Sequence, residues 1–272
     1  MPVRKPIALQ YAQRSDRGRV RRSNDDTSVA EEISLTDGRC AVLAAIADGI
    51  GSSRAGADAS RLAVSTALDY LRAGLRQPPR DERHWSALLT AALRQANTAV
   101  LNHSHMEPRL NGMGTTLMLT VVLGRRARIA HIGDSRAYLV RPAIRRPQIL
   151  QLTAEHTIVA DLVGDGVISY AEAGAHPQRH ELSRAVGVDG EVQAEVTART
   201  LRANERLLLC TDGLTLHLSD TELARTVADA PTPQAACARL IDLANGRGGR
   251  DNISAVVIAA APSATPEATS AS

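Results

Sequence analysis

At 272 residues with 44% hydrophobic content, the chain is long enough to bury a large core and needs no second domain. Its formal net charge is only +3, aromatic residues make up 2% of it and Phe is absent, which removes the concentrated basic surface and the stacking platforms on which nucleic-acid binders depend. The opening residues Met1 to Gln10 carry charge but no apolar signal core, and no segment approaches about 18 uninterrupted apolar residues, so the expectation is a soluble, cytoplasmic protein without a membrane partner.

In chain order, short apolar runs rich in Val and Ile predict strands over Cys40 to Ala47, Leu117 to Leu123, Arg128 to Ile132, Ala137 to Val140, Arg206 to Cys210 and Ile253 to Ala260. After the first of these, Leu, Ala and Val recur at three- and four-residue intervals over Gly56 to Leu75 and His84 to Asn102, which predicts two long helices. Ile158 to Leu162 and Pro233 to Leu243 read as further helices. The elements do not alternate as a doubly wound parallel sheet requires, and the pattern is α+β with antiparallel sheets. Thr153 to Gly187 is irregular and charged and reads as a surface flap. One domain is expected over residues 1–260, with residues 261–272, built of Pro, Ser, Thr and Ala, as a disordered tail.

The three cysteines, Cys40, Cys210 and Cys237, are widely spaced and odd in number, and read as buried free thiols in a reducing compartment rather than a disulfide framework. His176 and His180 have the spacing of two zinc ligands on a helix, but Pro177 between them argues against a continuing helix. The glycines of GRGGRDN lack the GK[ST] that a phosphate loop requires.

The carboxylates carry the chemistry. Three apolar strands end in an aspartate beside a glycine: Asp48 with Gly49, Asp134 with Gly133, and Asp212 with Gly213. Asp251 stands at the start of a fourth strand. In antiparallel sheets strand ends lie beside strand starts, so the four can meet at one edge. A single Asp of this kind is an ordinary turn former. Four together repel one another unless cations are present, and an all-oxygen set suits Mg²⁺ or Mn²⁺ better than zinc. Upstream, DRGRVRRSNDD adds Asp25 and Asp26 behind Arg21 and Arg22. If this segment is a strand, one acid of the pair faces the metals and the other is an outer partner or a surface charge.

These segments resemble the metal-dependent protein serine/threonine phosphatases of type 2C in their bacterial form. SDRGRVRRSNDD, IADGIGSSRAG, MGTTLMLTVV, AHIGDSRAYLVR, LTAEHT, LCTDGL and GGRDNISAVVI follow the family's order from Arg14 to about Ile258. The resemblance implies a four-layer α-β-β-α sandwich of two antiparallel sheets covered by helices. It implies that Asp48 bridges two Mn²⁺ or Mg²⁺ ions with the carbonyl of Gly49 on one, that Asp212 and Asp251 hold the first ion, that Asp25 helps hold the second, and that Arg21 binds the substrate phosphate. Asp134 with Asp212 corresponds to a weaker third metal site. The implied reaction is hydrolysis of phosphoserine and phosphothreonine by a hydroxide shared between the ions, without a phosphoenzyme. A signalling role follows, with phosphorylated proteins, a serine/threonine kinase and that kinase's substrates as partners of a monomer. The alternative is a phosphatase-fold module that binds phosphoproteins with little or no turnover. The sequence departs from the family at Asp25, where many members have Glu, at Ser52 and Ser53, at Leu216, where many have Asp, and at Ile50, which donates no proton. His156 of LTAEHT has no role that the residues themselves suggest.

Overall fold

The structure, a computed structural model, describes residues 7–51, 55–110, 112–143 and 145–262. Ser52, Ser53 and residues 263–272 of the expected tail lie outside them. In chain order the elements are β1 (Ile7–Asp16), β2 (Thr27–Ser34), β3 (Cys40–Ala47), the short β4 (Gly49–Ile50), helices α1 (Ala55–Gly74) and α2 (Glu82–Met106), a 3₁₀ turn at Pro108–Leu110 and the short β5 (Gly114–Thr115). There follow β6 (Leu117–Leu123), β7 (Arg126–Ile132), β8 (Arg136–Arg141), β9 (Gln148–Gln151), α3 (Ile158–Gly164), α4 (Tyr170–Ala175) and β10 (Glu195–Thr200). The chain continues through β11 (Arg206–Cys210), α5 (Asp212–Thr215), α6 (Asp220–Asp229), α7 (Pro233–Gly246) and β12 (Ile253–Pro262).

Two five-stranded antiparallel sheets result, ordered β1-β12-β11-β8-β9 and β10-β7-β6-β3-β2, with β4 and β5 paired as a separate ribbon. The period-2 alternation of strand side chains divides each central strand between two cores. On β3, Ala41, Leu43, Ala45 and Ala47 pack with α1 and α2, while Val42, Ala44 and Ile46 face the other sheet. On β11, Leu208 and Cys210 pack toward α6 and α7, while Leu207 and Leu209 point between the sheets. Strands covered on both faces read as continuous apolar runs, which is why they were legible. The expected four layers, helices on sheet on sheet on helices, are present.

Local chemistry starts and stops the helices. The Asp81 carboxylate accepts from the His84 N–H at 2.9 Å to cap α2, and Thr232 caps α7 ahead of Pro233. Ala59, Ala63 and Ala67 keep α1 slim enough to lie close against β3 and α2. His103 and His105 stand in the last turn of α2. The flap is pinned at its base: the Ile158 N–H donates to the Glu181 carbonyl at 2.9 Å and the Ser183 N–H to the His156 carbonyl at 3.0 Å.

Two expectations change, and one reading against a shared helix face holds. Cys40 is exposed, because as the first residue of β3 it stands at the open end of the inter-sheet layer that Val42, Ala44 and Ile46 close further along; Cys210 and Cys237 are buried. Burial pushes the Cys210 thiol up to about 12, which leaves it inert. β12 runs through Pro262, two residues into the expected tail. His176 caps the end of α4, and His180 lies in the turn beyond it, so the two share no helix face.

Candidate active site

Asp48 leaves β3 at a point where the backbone is held from both sides. The Thr116 Oγ1 accepts from the Asp48 N–H at 2.9 Å, and the Asp48 carbonyl accepts from the Thr116 N–H at 2.9 Å and the Thr115 hydroxyl at 2.8 Å. The next N–H, from Gly49, donates to the Asp25 carbonyl at 3.2 Å. A Cβ at Gly49 would stand 2.1 Å from the Gly56 carbonyl oxygen and 2.6 Å from that of Asp25. Only glycine allows the start of α1, the Asp25 segment and the end of β3 to close on one point. Gly133 does the same for Asp134: its φ of +106° belongs to the glycine-favouring region, and a Cβ there would lie 2.6 Å from the Thr116 side chain.

Asp25 and Asp26 stand in the segment before β2, not on a strand, so alternation does not sort them. The Asn252 side chain fastens this segment, accepting from the Asp25 N–H at 2.8 Å and donating to the carbonyls of Arg17 at 2.9 Å and Ser23 at 2.8 Å. Asp26 is no surface charge. It is buried, and its Oδ2 accepts from the hydroxyls of Thr211 at 2.9 Å and Ser254 at 2.6 Å. Asp212 follows β11 as the first residue of α5, Asp251 precedes β12, and Arg21 Nη2 donates to Asp251 Oδ2 at 2.7 Å.

The electrostatics show that these acids share a site. Burial, and then the charges of Asp26, Asp212, Asp134 and Asp251, push the Asp48 carboxyl well above the usual range. Burial and the Asp251 charge raise Asp212. Burial followed by Asp212 and Glu155 raises Asp134 to about 7, and burial raises Asp26 to about 7 against the two hydroxyls that favour its anion. Buried Oδ1 atoms of Asp25, Asp26 and Asp212 have no hydrogen-bond partner in the protein. Bare buried carboxylate oxygens and mutually raised acids are what a cation removes, so this set fits divalent metal. Among the described residues no three of these aspartates bring one oxygen each within 4.8 Å of one another.

A second cluster meets that distance criterion: His131, His156 and Glu195. Its geometry is wrong for metal. The two imidazoles stack with centroids 4.6 Å apart and planes 15° from parallel, and in-plane lone pairs of nearly parallel rings do not converge. His156 Nδ1 accepts the Gly133 N–H at 3.1 Å, which in the neutral ring leaves the proton on Nε2, the atom a metal would need. The His156 N–H also donates to the Gly133 carbonyl at 3.1 Å. His156, without an assignable role in the sequence, grips both sides of the residue before Asp134.

Sequence reasoning thus brought Arg21, Asp48, Asp134, Asp212 and Asp251 to one place, with Asp25 joined through Gly49. It missed the burial of Asp26 and the fastening by Asn252 and Thr116. A DN pair opening a strand was the available signal for Asn252. Beyond Asp134 and Asp212 a cleft of about 1070 Å³ extends beneath the flap past Arg136, His180, Arg184 and Leu216.

Two layers of antiparallel sheet, an outer layer of helices on each side and an acidic site at the strand ends define a four-layer α-β-β-α architecture. The family model for protein phosphatase 2C matches residues 19–237, and the chain belongs to that family. It is 40% identical over 255 residues to the serine/threonine protein phosphatase PstP of Mycobacterium tuberculosis, covering 94% of this chain and 46% of that protein. It therefore spans about half the length of the first curated relatives it matches. The serine/threonine phosphatase stp of Listeria monocytogenes is 34% identical over 254 residues, covering 90% of this chain and 93% of that one. The crystal structure of the PstP catalytic domain in complex with two manganese ions superposes with a TM-score of 0.77 at 38% identity, covering 94% of this chain and 99% of the other.

Proposed function

We propose that this chain is a metal-dependent phosphatase that removes phosphate from serine and threonine side chains of other proteins, using Mn²⁺ or Mg²⁺. The observation that carries the reading is the convergence of Asp48, Asp134, Asp212 and Asp251 from four strand ends, each of the first three raised by burial and by the others. Asp48, the Gly49 carbonyl, Asp25, Asp212 and Asp251 would hold the ions, and Asp134 with Asp212 would offer a weaker further position. The ions, when bound, supply an acidified water at near-neutral pH and neutralise phosphoryl charge.

The chain's own groups do the rest. Arg21 offers a planar fork to the phosphoryl oxygens, and its exposed guanidinium, anchored on Asp251, is free to present its remaining N–H groups to substrate. Thr211 and Ser254 hold Asp26 immobile behind Asp48. Thr116 fixes the backbone from which the Asp48 side chain projects. Ile50 has no proton to give the leaving oxygen and the Cys210 thiol is buried away from it, so water would supply that proton where one is needed. The enzyme would act in the cytoplasm as a monomer opposite a serine/threonine kinase, with the kinase and its substrates as partners; no helix among the described residues is long and apolar enough to cross a membrane.

Phosphate release from a phosphothreonine peptide tests this. Turnover with Mn²⁺, lost with chelator and restored by Mn²⁺, is expected. Chelator-insensitive turnover would refute the metal role, and peptide binding without turnover would identify a phosphoprotein-binding module instead.

A further inference from the structure

The basic run ahead of Asp25 is not accounted for by one phosphate-binding arginine. Four of the six residues from Arg17 to Arg22 are arginine, and all four are exposed. Their loop lies on the one that leads to Asp251: the Arg19 N–H donates to the Gly249 carbonyl at 2.7 Å, and Asn252 holds the Arg17 carbonyl at 2.9 Å. Gly18 packs so closely on Asp251 that a Cβ there would stand 2.1 Å from the Asp251 carbonyl oxygen. This seats Arg250, also exposed, beside the same rim.

The acids that could neutralise the rim are engaged elsewhere. Asp16 accepts from the Gly18 N–H at 2.9 Å and from Asn245 at 3.0 Å, Asp251 is taken by Arg21, and Glu222 by Arg247. Among the described residues, Arg17, Arg19, Arg22 and Arg250 form no ion pair. An acidic centre therefore has a wall of guanidiniums outside any ion pair on its Arg21 side, with Arg19 partly offset by Asp16, whose carboxyl is lowered, against the effect of burial, by the Asn245 and Gly18 hydrogen bonds and then by the Arg19 charge. An extended peptide advances about 3.3 Å per residue, so a phosphorylated residue held at Arg21 brings its near neighbours alongside that wall. Guanidiniums pair best with carboxylate and phosphate, and exposed ones act mainly through electrostatic complementarity.

We propose that the rim formed by Arg17, Arg19, Arg22 and Arg250 selects phosphopeptides whose neighbouring residues are acidic or themselves phosphorylated. The selection rests on the phosphatase reading above and adds a substrate class to it. The Arg21 phosphate contact supplies affinity common to all substrates, whereas the rim discriminates by the sign of the flanking charge.

The test uses the full chain with Mn²⁺ and three monophosphothreonine peptides of equal length with Glu, Ala or Lys flanks, together with p-nitrophenyl phosphate, which has no flanks. The Glu-flanked peptide should exceed the Lys-flanked one in kcat/KM by about tenfold at low salt, and the preference should shrink at high salt. In Arg19→Glu/Arg250→Glu, the ratio of kcat/KM for the Glu-flanked peptide to that for p-nitrophenyl phosphate should fall about tenfold, and in the milder Arg19→Gln/Arg250→Gln by less. Reading a ratio removes any loss of folded enzyme. Equal kcat/KM for the three peptides, or an unchanged ratio in both double variants, overturns the proposal while p-nitrophenyl phosphate turnover leaves the phosphatase reading standing. No turnover of any substrate by the unmodified chain with Mn²⁺ overturns the phosphatase reading, and the rim's selectivity with it.

Discussion

Asp26 is the largest single charge acting on Asp48, although the two lie on different segments. One oxygen of Asp26 is fixed by Thr211 and Ser254; the other is buried and bare. Its carboxyl is lifted from 3.8 to about 7, chiefly by burial. The folded metal-free protein therefore keeps a proton on Asp26 that the unfolded chain loses, and this group lowers stability as pH rises from 3.8 toward about 7. Asp26→Asn removes that contribution. The Tm of metal-free Asp26→Asn relative to the unmodified protein should rise over this interval, read by thermal melts in chelator; a difference that falls with pH would contradict the placement.

Arg21→Ala should raise KM for p-nitrophenyl phosphate by about tenfold and lower kcat less, because the phosphate contact exists before and during reaction. Arg22→Ala should have the smaller effect, since Arg21 and not Arg22 reaches Asp251 at 2.7 Å. Steady-state kinetics on the two variants decide the register.

The proposed third metal position would have fewer oxygens than the central pair. Leu216, 46% exposed on the cleft it shares with Asp134 and Asp212, offers none. Mn²⁺ titration should show a weak phase that Leu216→Asp tightens and Asp134→Ala removes, with the tight phase unmoved in both. Failure of the weak phase to respond to either substitution rules the position out.

His156 should matter through Gly133. His156→Leu strands the buried Gly133 N–H, which costs about 1–3 kcal/mol, whereas the Asn side chain places an acceptor near the former Nδ1. Urea unfolding should find His156→Leu less stable than His156→Asn by about 1 kcal/mol. Equal stabilities would show that the acceptor for the Gly133 N–H contributes nothing measurable and would remove the clamp.

What the sequence disclosed follows burial. β3, β6, β11 and β12, covered on both faces, announce themselves as unbroken apolar runs, and the acids at their ends could be placed at once. β2 and β10 are edge strands, β9 another, and their polar residues facing water leave no clean pattern, so TSVAEEIS and EVTART are missing from the predicted strands. Asp26 was illegible for a different reason. Its burial depends on Thr211 and Ser254, more than 180 residues away, and adjacent acids in a loop obey no face rule. His156 likewise acquires meaning only through contacts with Gly133 and Ser183.

The central claim is that Asp48 gathers metal for phosphate hydrolysis. Asp48→Asn removes the bridging anion and also relieves the repulsion that raises Asp48 in the metal-free protein. Calorimetric titration of the metal-free protein with Mn²⁺ tests this most directly: the unmodified chain should bind two ions in a tight phase, and Asp48→Asn, folded and at least as stable without metal, should lose that phase. An unchanged tight phase in Asp48→Asn, or none in the unmodified protein, would contradict the account.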